Sequence, residues 1–263
     1  MSDSPLQITR EDSVVTVALD RPRVHNAFDE HTIAALSETF ASLAGDAEAR
    51  VIVLRGKGRS FSAGGDANWM KRMAAADAQA NRDDALALAQ MLRRLADLPQ
   101  PVVARVHGYA YGGAVGLASA CDIVLAADDA RFALSEVRLG LVPAVISPFV
   151  VEAIGARQAH RYFLTGESFD AATAQRIGLV HEVVPAPVLD ARLEQLLREL
   201  AQAGPAAQRE AKTLINTLAS GTHADAKETD AYTADLIARV RDSAEGREGI
   251  GAFLDKRTPA WRS

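Results

Sequence analysis

Apolar positions follow two different rhythms along this chain, and the change between them divides it. Short apolar runs at residues 14–19, 51–54, 102–106, 123–127 and 179–184 predict buried strands. Between them the spacing turns helical. Ile33, Leu36, Phe40 and Leu43 predict a helix opened by Asp29 or Glu30, and Leu86, Leu88, Leu92 and Leu95 predict one over 83–98, stopped by Pro99 and Pro101. Asp66 is placed to cap a helix running through Met73, and residues 74–80 read as a loop. Further helices are expected at 113–120, 149–154, 156–164 and 170–177. From Ala186 onward the pattern is helical throughout, over 188–203, 205–220, 224–240 and 245–254, with the Gly204-Pro205 step as a stop and restart. The pattern predicts an α/β chain with a mixed core domain over 1–203 and a helical region over 204–263.

Two glycine turns carry the candidate chemistry. Gly64-Gly65 and Gly112-Gly113 each lie between a strand and a helix, where free backbone N–H groups point at a common space. Such a space holds a bound anion or an oxyanion formed during reaction. Taken singly, each pair is also explained as a tight turn. Glu136 has two readings as well. With Ser135 as N-cap it is a first-turn acid. Among Phe132, Leu134, Val137 and Leu139 it is a carboxyl whose burial would raise its pKa into an acid–base range.

Composition narrows the classes. A net charge of −5 argues against a general nucleic-acid binder, since phosphate neutralisation needs clustered Lys and Arg. The one cysteine, Cys121, reads as a buried small hydrophobe and fits a reducing compartment. Six dispersed histidines show no metal-ligand spacing, so no metal is expected. The first residues show no targeting pattern and no apolar run spans a bilayer, so the expected location is the cytoplasm. GxSxG and Walker A motifs are absent, and the Gly112 turn lacks dinucleotide spacing.

The segments FSAGGD (61–66), GYAYGGAVGLASACDI (108–123) and FALSEVRLGLVP (132–143), with RPRVHNAF (21–28) and GAFLDKRTP (251–259), resemble the crotonase, or enoyl-CoA hydratase/isomerase, superfamily. The resemblance covers almost the whole chain. It implies a spiral of repeated ββα units with a C-terminal helical region that builds trimers, often stacked as hexamers. It implies an acyl-CoA thioester substrate, coenzyme A being part of that substrate and no separate cofactor being used. By resemblance Gly65 and Gly113 donate to the thioester oxygen and Glu136 is the acid–base. Arg23, His25 and Ala27 in the 21–27 loop, with Ala63, Gly64 and Asp66, line the coenzyme. Phe253 and Lys256 match residues that reach the coenzyme of a neighbouring subunit.

One departure bears on the reaction. Hydratases of the family commonly carry a second glutamate three residues after Gly113, and here that position is Gly116. A single acid suits a hydratase that uses Glu136 twice, or a Δ3-Δ2-enoyl-CoA isomerase that shuttles a proton from Cα to Cγ. A third reading is a non-catalytic acyl-CoA or RNA-binding protein. The runs DANWMKRM and LSEVRLGLVPAVISPFVV most resemble bacterial methylglutaconyl-CoA hydratases of leucine breakdown and their isoprenoid-acid relatives. Their carboxylated substrates give Lys71 or Arg72 a possible anionic partner, against the plain reading of an exposed helix face.

Overall fold

The computed structural model of the chain describes residues 4–221 and 225–262. It divides into two compact units, one made of residues 1–98 and 102–193, the other of 99–101 and 194–263. Among the described residues the strands are β1 (Leu6–Glu11), β2 (Val14–Leu19), β3 (Val51–Gly56), β4 (Val102–Val106), β5 (Tyr109–Tyr111), β6 (Ile123–Ala127), β7 (Arg131–Ala133), β8 (Ser168–Asp170) and β9 (Glu182–Val184). The helices are α1 (Glu30–Ala44), α2 (Ala67–Ala74), α3 (Ala78–Ala96), α4 (Gly113–Ser119), α5 (Ser147–Thr165), α6 (Ala171–Arg176), α7 (Leu189–Ala201), α8 (Pro205–Ala219), α9 (Ala226–Asp242) and α10 (Ala244–Leu254).

The first unit is a spiral. A six-stranded sheet has the order β1-β2-β3-β4-β6-β9, parallel except for β1 against β2. A second layer holds β5-β7-β8. Each turn runs from a strand of the large sheet, through a short extended segment of the second layer, into a helix. β4–β5–α4 and β6–β7–α5 are complete examples. In the earlier turns single bridges, Phe28 to Gly65 and Ser62 to Ala110, take the place of the second strand. Parallel strands covered on both faces are largely apolar. β4 is buried at all five of its residues, its one charge, Arg105, pairing with Asp190. Leu36 and Phe40 of α1 and Met91, Leu92 and Leu95 of α3 are fully buried in the same core.

Capping fixes where the helices of this unit start. Asp29, Asp66, Asp77 and Asp170 each accept a backbone N–H with the side chain. Asp77 moves the start of α3 to Ala78, so the expected 74–80 loop shrinks to three residues, 75–77. The alanine-rich, polar start of α3 has no apolar stripe to reveal it. Helices expected at 149–154 and 156–164 form one element, α5, broken at Gly155, whose φ is 72°. β1 escapes a hydrophobic reading because five of its six residues are exposed on a sheet edge. β5, β7 and β8 are three residues each, too short to show a period.

The second unit is helical. Glu245, at the start of α10, accepts from the Ala206 and Ala207 N–H groups at 2.9 and 2.8 Å and so caps α8. Arg239 of α9 pairs in a bidentate fashion with Glu210 of α8. Asp225 caps α9. Ala224, the expected start of that helix, and His223 before it lie outside the described residues. Among the described residues no helix is long and apolar enough to cross a membrane.

Candidate active site

The site forms where three turns of the spiral meet. The Phe28 N–H donates to Gly64 O at 2.8 Å, and the Asp66 N–H donates to Phe28 O at 2.9 Å. These two bonds straddle Gly65 and leave its own N–H outside the ladder. Gly64 has φ 84°, and a Cβ there would lie 2.5 Å from Tyr111 O and 3.7 Å from the Gly113 nitrogen. Only glycine fits, and it brings the 64–65 peptide beside the start of α4. At Gly113 a Cβ would meet Phe28 Cζ at 2.5 Å, so the buried Phe28 ring sits directly against that backbone. Among the described residues neither the Gly65 nor the Gly113 N–H donates to a protein acceptor. The Gly113 N–H is unpaired because it opens a helix.

Glu136 completes the group. It opens a 3-10 turn, Glu136–Leu139. Ser135 stands at the N-cap position but makes no side-chain cap, with φ −89° and ψ 5°, so the expected serine cap is absent. A Cβ on Gly112, whose φ is 53°, would lie 3.1 Å from Glu136 Oε1. The carboxyl therefore touches the turn that presents Gly113. Its Oε2 is buried and has no hydrogen-bond partner. Loss of hydration raises its pKa above the ordinary glutamate value, opposed only by its own backbone N–H. Two acceptor-less amides thus belong to the turns at Gly64 and Gly112, and the Glu136 carboxyl, with Oε2 unpartnered, stands next to the second turn. Such an arrangement can hold a carbonyl oxygen while moving a proton at neighbouring carbons.

The family described as Enoyl-CoA hydratase/isomerase matches residues 9–263. The chain belongs to the enoyl-CoA hydratase/isomerase family. It is an enzyme of this kind. It is 34% identical over 265 residues to the 2,3-dehydroadipyl-CoA hydratase of Escherichia coli K12, covering 98% of this chain and 99% of that protein. The solved structure of an enoyl-CoA hydratase from Shewanella pealeana superposes with a TM-score of 0.93 at 39% identity, covering 98% and 96% of the two chains. Pseudomonas aeruginosa AtuE superposes with a TM-score of 0.93 at 38% identity, covering 98% and 100%.

The remaining expected residues of this enoyl-CoA hydratase/isomerase family member are spread over several places. His25, Ala27, Ala63 and Gly64 lie together: the Ala63 N–H donates to His25 O at 2.9 Å, and His25 Nδ1 lies 3.0 Å from Ser60 Oγ. Asp66 is buried, with Oδ1 accepting from Asn68 and Trp69 and Oδ2 from Arg21. Arg23 is exposed in the turn Pro22–Val24. Phe253, 81% exposed, and Lys256, with φ 53°, belong to the second unit. Arg72 pairs with Glu30 at 2.7 Å, which occupies its charge. Among the described residues no three His, Cys, Asp or Glu side chains are grouped to hold a metal.

Several residues that build the site carry no obvious chemical signal. Asn26, in left-handed backbone with φ 56°, uses its buried amide to tie Lys57 O, Ser60 O and Phe61 O to its own loop. Ser62 Oγ donates to Asn26 O and accepts from the Gly64 N–H. Trp69 lies against Gly65, its indole N–H donating to Asp84 on α3 at 2.9 Å. Asparagine's tolerance of left-handed backbone is the one feature that could have singled out Asn26.

Gly116 is more than a missing acid. A Cβ there would lie 2.3 Å from Ile146 Cγ2, and Ile146 is buried. Isoleucine occupies the room a side chain at 116 would need. Gly116→Glu should therefore lower stability by about 3 kcal/mol, and Ile146→Ala added to it should recover part of that loss, read by urea unfolding. Equal stability of Gly116→Glu and the native chain would contradict this packing. Glu136 yields a pH-dependent expectation. The folded state keeps its proton to higher pH than the unfolded chain, so its contribution to stability falls as pH rises through that interval. Glu136→Gln should therefore gain stability relative to the native chain at about pH 8 and not at about pH 4. An unchanged difference between the two pH values would show a hydrated carboxyl.

Proposed function

We propose that the chain adds water to an α,β-unsaturated acyl-CoA thioester, with Glu136 as its single acid–base. The observation that carries the reading is the unpartnered Oε2 of Glu136, whose carboxyl stands next to the turn that presents the acceptor-less Gly113 amide. The Gly65 and Gly113 N–H groups hold the thioester oxygen. The Glu136 carboxylate takes a proton from water, whose oxygen bonds to Cβ. The C=C electron pair moves to the enolate oxygen between the two amides. Protonated Glu136 then returns the proton to Cα, and water has been added with no group beyond chain and substrate. His25, Ala27, Ala63 and Gly64 lie along the coenzyme in this reading.

A second reading has its own support. Ile146 fills the flank of Gly116 where a second acid would stand. One carboxyl suffices for a Δ3-Δ2-enoyl-CoA isomerase, which moves a proton from Cα to Cγ. For the acyl group we favour a branched or carboxylated chain. The Escherichia coli relative is named for a dicarboxylic acyl-CoA. Lys71 is exposed with no ion-pair partner among the described residues, while Arg72 is held by Glu30. The proposal extends to a cytoplasmic homotrimer or dimer of trimers. Exposed apolar side chains support it: Leu139, Leu141 and Val142 in the first unit, and Phe253 and Leu254 in the second.

A panel of 2-enoyl- and 3-enoyl-CoA thioesters, straight, branched and carboxylated, separates the readings by product. Hydroxyacyl-CoA from the 2-enoyl series is expected. Glu136→Gln should lower kcat by at least about a hundredfold while still binding the thioester. The acid limb of the native pH–rate profile should lie above the ordinary glutamate range, because the base must be ionised. Conversion of 3-enoyl to 2-enoyl thioester without water addition would replace the first reading with the second. Undiminished turnover by Glu136→Gln would remove both.

A further inference from the structure

Arg21, which the resemblance places only in the loop along the coenzyme, joins the 64–66 segment that presents one amide to the Phe28 segment that packs on the other. Its Nη1 donates to Ala27 O at 2.5 Å. Its Nη2 lies 3.1 Å from Asp29 Oδ2 and 3.1 Å from Asp66 Oδ2. Each carboxylate spends its other oxygen on a helix start. Asp29 Oδ1 accepts from the Thr32 N–H and hydroxyl, and Asp66 Oδ1 from the Asn68 and Trp69 N–H groups. One guanidinium therefore sits between two like charges that cap α1 and α2.

What lies between those carboxylates is the site itself. Phe28 precedes Asp29 and Gly65 precedes Asp66, and the two Phe28 backbone bonds lock these neighbours together. The Phe28 ring, in turn, packs on Gly113. Arg21 is thus linked to the Gly65 amide through Asp66 and to the Gly113 amide through Asp29 and Phe28. The guanidinium is only a quarter exposed, and the Asp66 side chain less still, so their pairing is little screened. Lysine could not make three such contacts from one planar fork.

We propose that Arg21 is a positioning residue: it sets the spacing of the Gly65 and Gly113 amides and so the polarisation of the thioester carbonyl. The proposal rests on the reading that these two amides hold that oxygen. Without Arg21, Asp29 and Asp66 repel across the ladder and the 64–66 segment shifts against α4. Because the residue acts on carbonyl activation and not on grip of the coenzyme, its loss belongs in kcat.

The test is infrared difference spectroscopy of a bound, carbonyl-labelled acyl-CoA that cannot react, with steady-state kinetics beside it. The native enzyme should shift the thioester C=O stretch to lower frequency. Arg21→Met should lose most of that shift and about 10–100-fold in kcat, with KM within about threefold, since small misplacements near reacting atoms cost rates of this order. Arg21→Lys should restore part of both. If Arg21→Met does not fold, Asp66→Asn reads the same link and should reduce the same shift. A full native-sized shift in these variants, with or without loss of rate, overturns the role of Arg21 alone. Absence of any shift in the native enzyme overturns the two-amide reading and the Arg21 role with it.

Discussion

Two backbone N–H groups, those of Gly65 and Gly113, lack a protein acceptor among the described residues, and the packing around them decides where they stand. Here Phe28 is the means. Its N–H and C=O bond either side of Gly65, while its ring occupies the flank of Gly113. One residue therefore fixes a donor from the 61–66 turn and a donor from the start of α4. The spiral makes this possible, because each turn lays its second-layer segment against the next. Glycine is required wherever those segments approach most closely: Gly64 against the Tyr111 carbonyl, and Gly113 against an aromatic ring.

The electrostatics of the site follow from the same crowding. Glu136 is pressed against Gly112 with one oxygen lacking any partner, and desolvation holds its proton more tightly than water would. A carboxyl whose pKa is raised in this way keeps its proton above the ordinary glutamate range. The neighbouring wall is apolar. Ile146 stands where a side chain at 116 would begin, so the single-acid arrangement is built into the packing of α4 against the segment leading to α5. The proposed chemistry asks one carboxyl to take a proton and return it, with the two amides carrying the charge in between.

Legibility in the sequence was uneven for physical reasons. Strands such as β3 and β6 were readable because burial leaves apolar runs over 51–54 and 123–127, and Asp29 and Asp66 marked helix starts. β5, β7 and β8 were not, since three residues carry no period. Ser135 looked like a cap but precedes a 3-10 turn, where its side chain makes no such bond. Of the site, the residue types were visible while their arrangement was not. Nothing local ties Phe28 to Gly113, or Ile146 to Gly116. Arg21 reads as an ordinary loop cation until two helix caps are seen to converge on it.

The central claim is that two glycine amides grip one oxygen while a lone carboxyl faces the adjoining carbons. A crystal structure of the protein with an unreactive acyl-CoA thioester tests it most directly. The account predicts the thioester oxygen at about 3 Å from both the Gly65 and Gly113 nitrogens, with Glu136 directed at Cα and Cβ. A thioester oxygen bonded to other groups, or Glu136 turned away from the acyl chain, would contradict it.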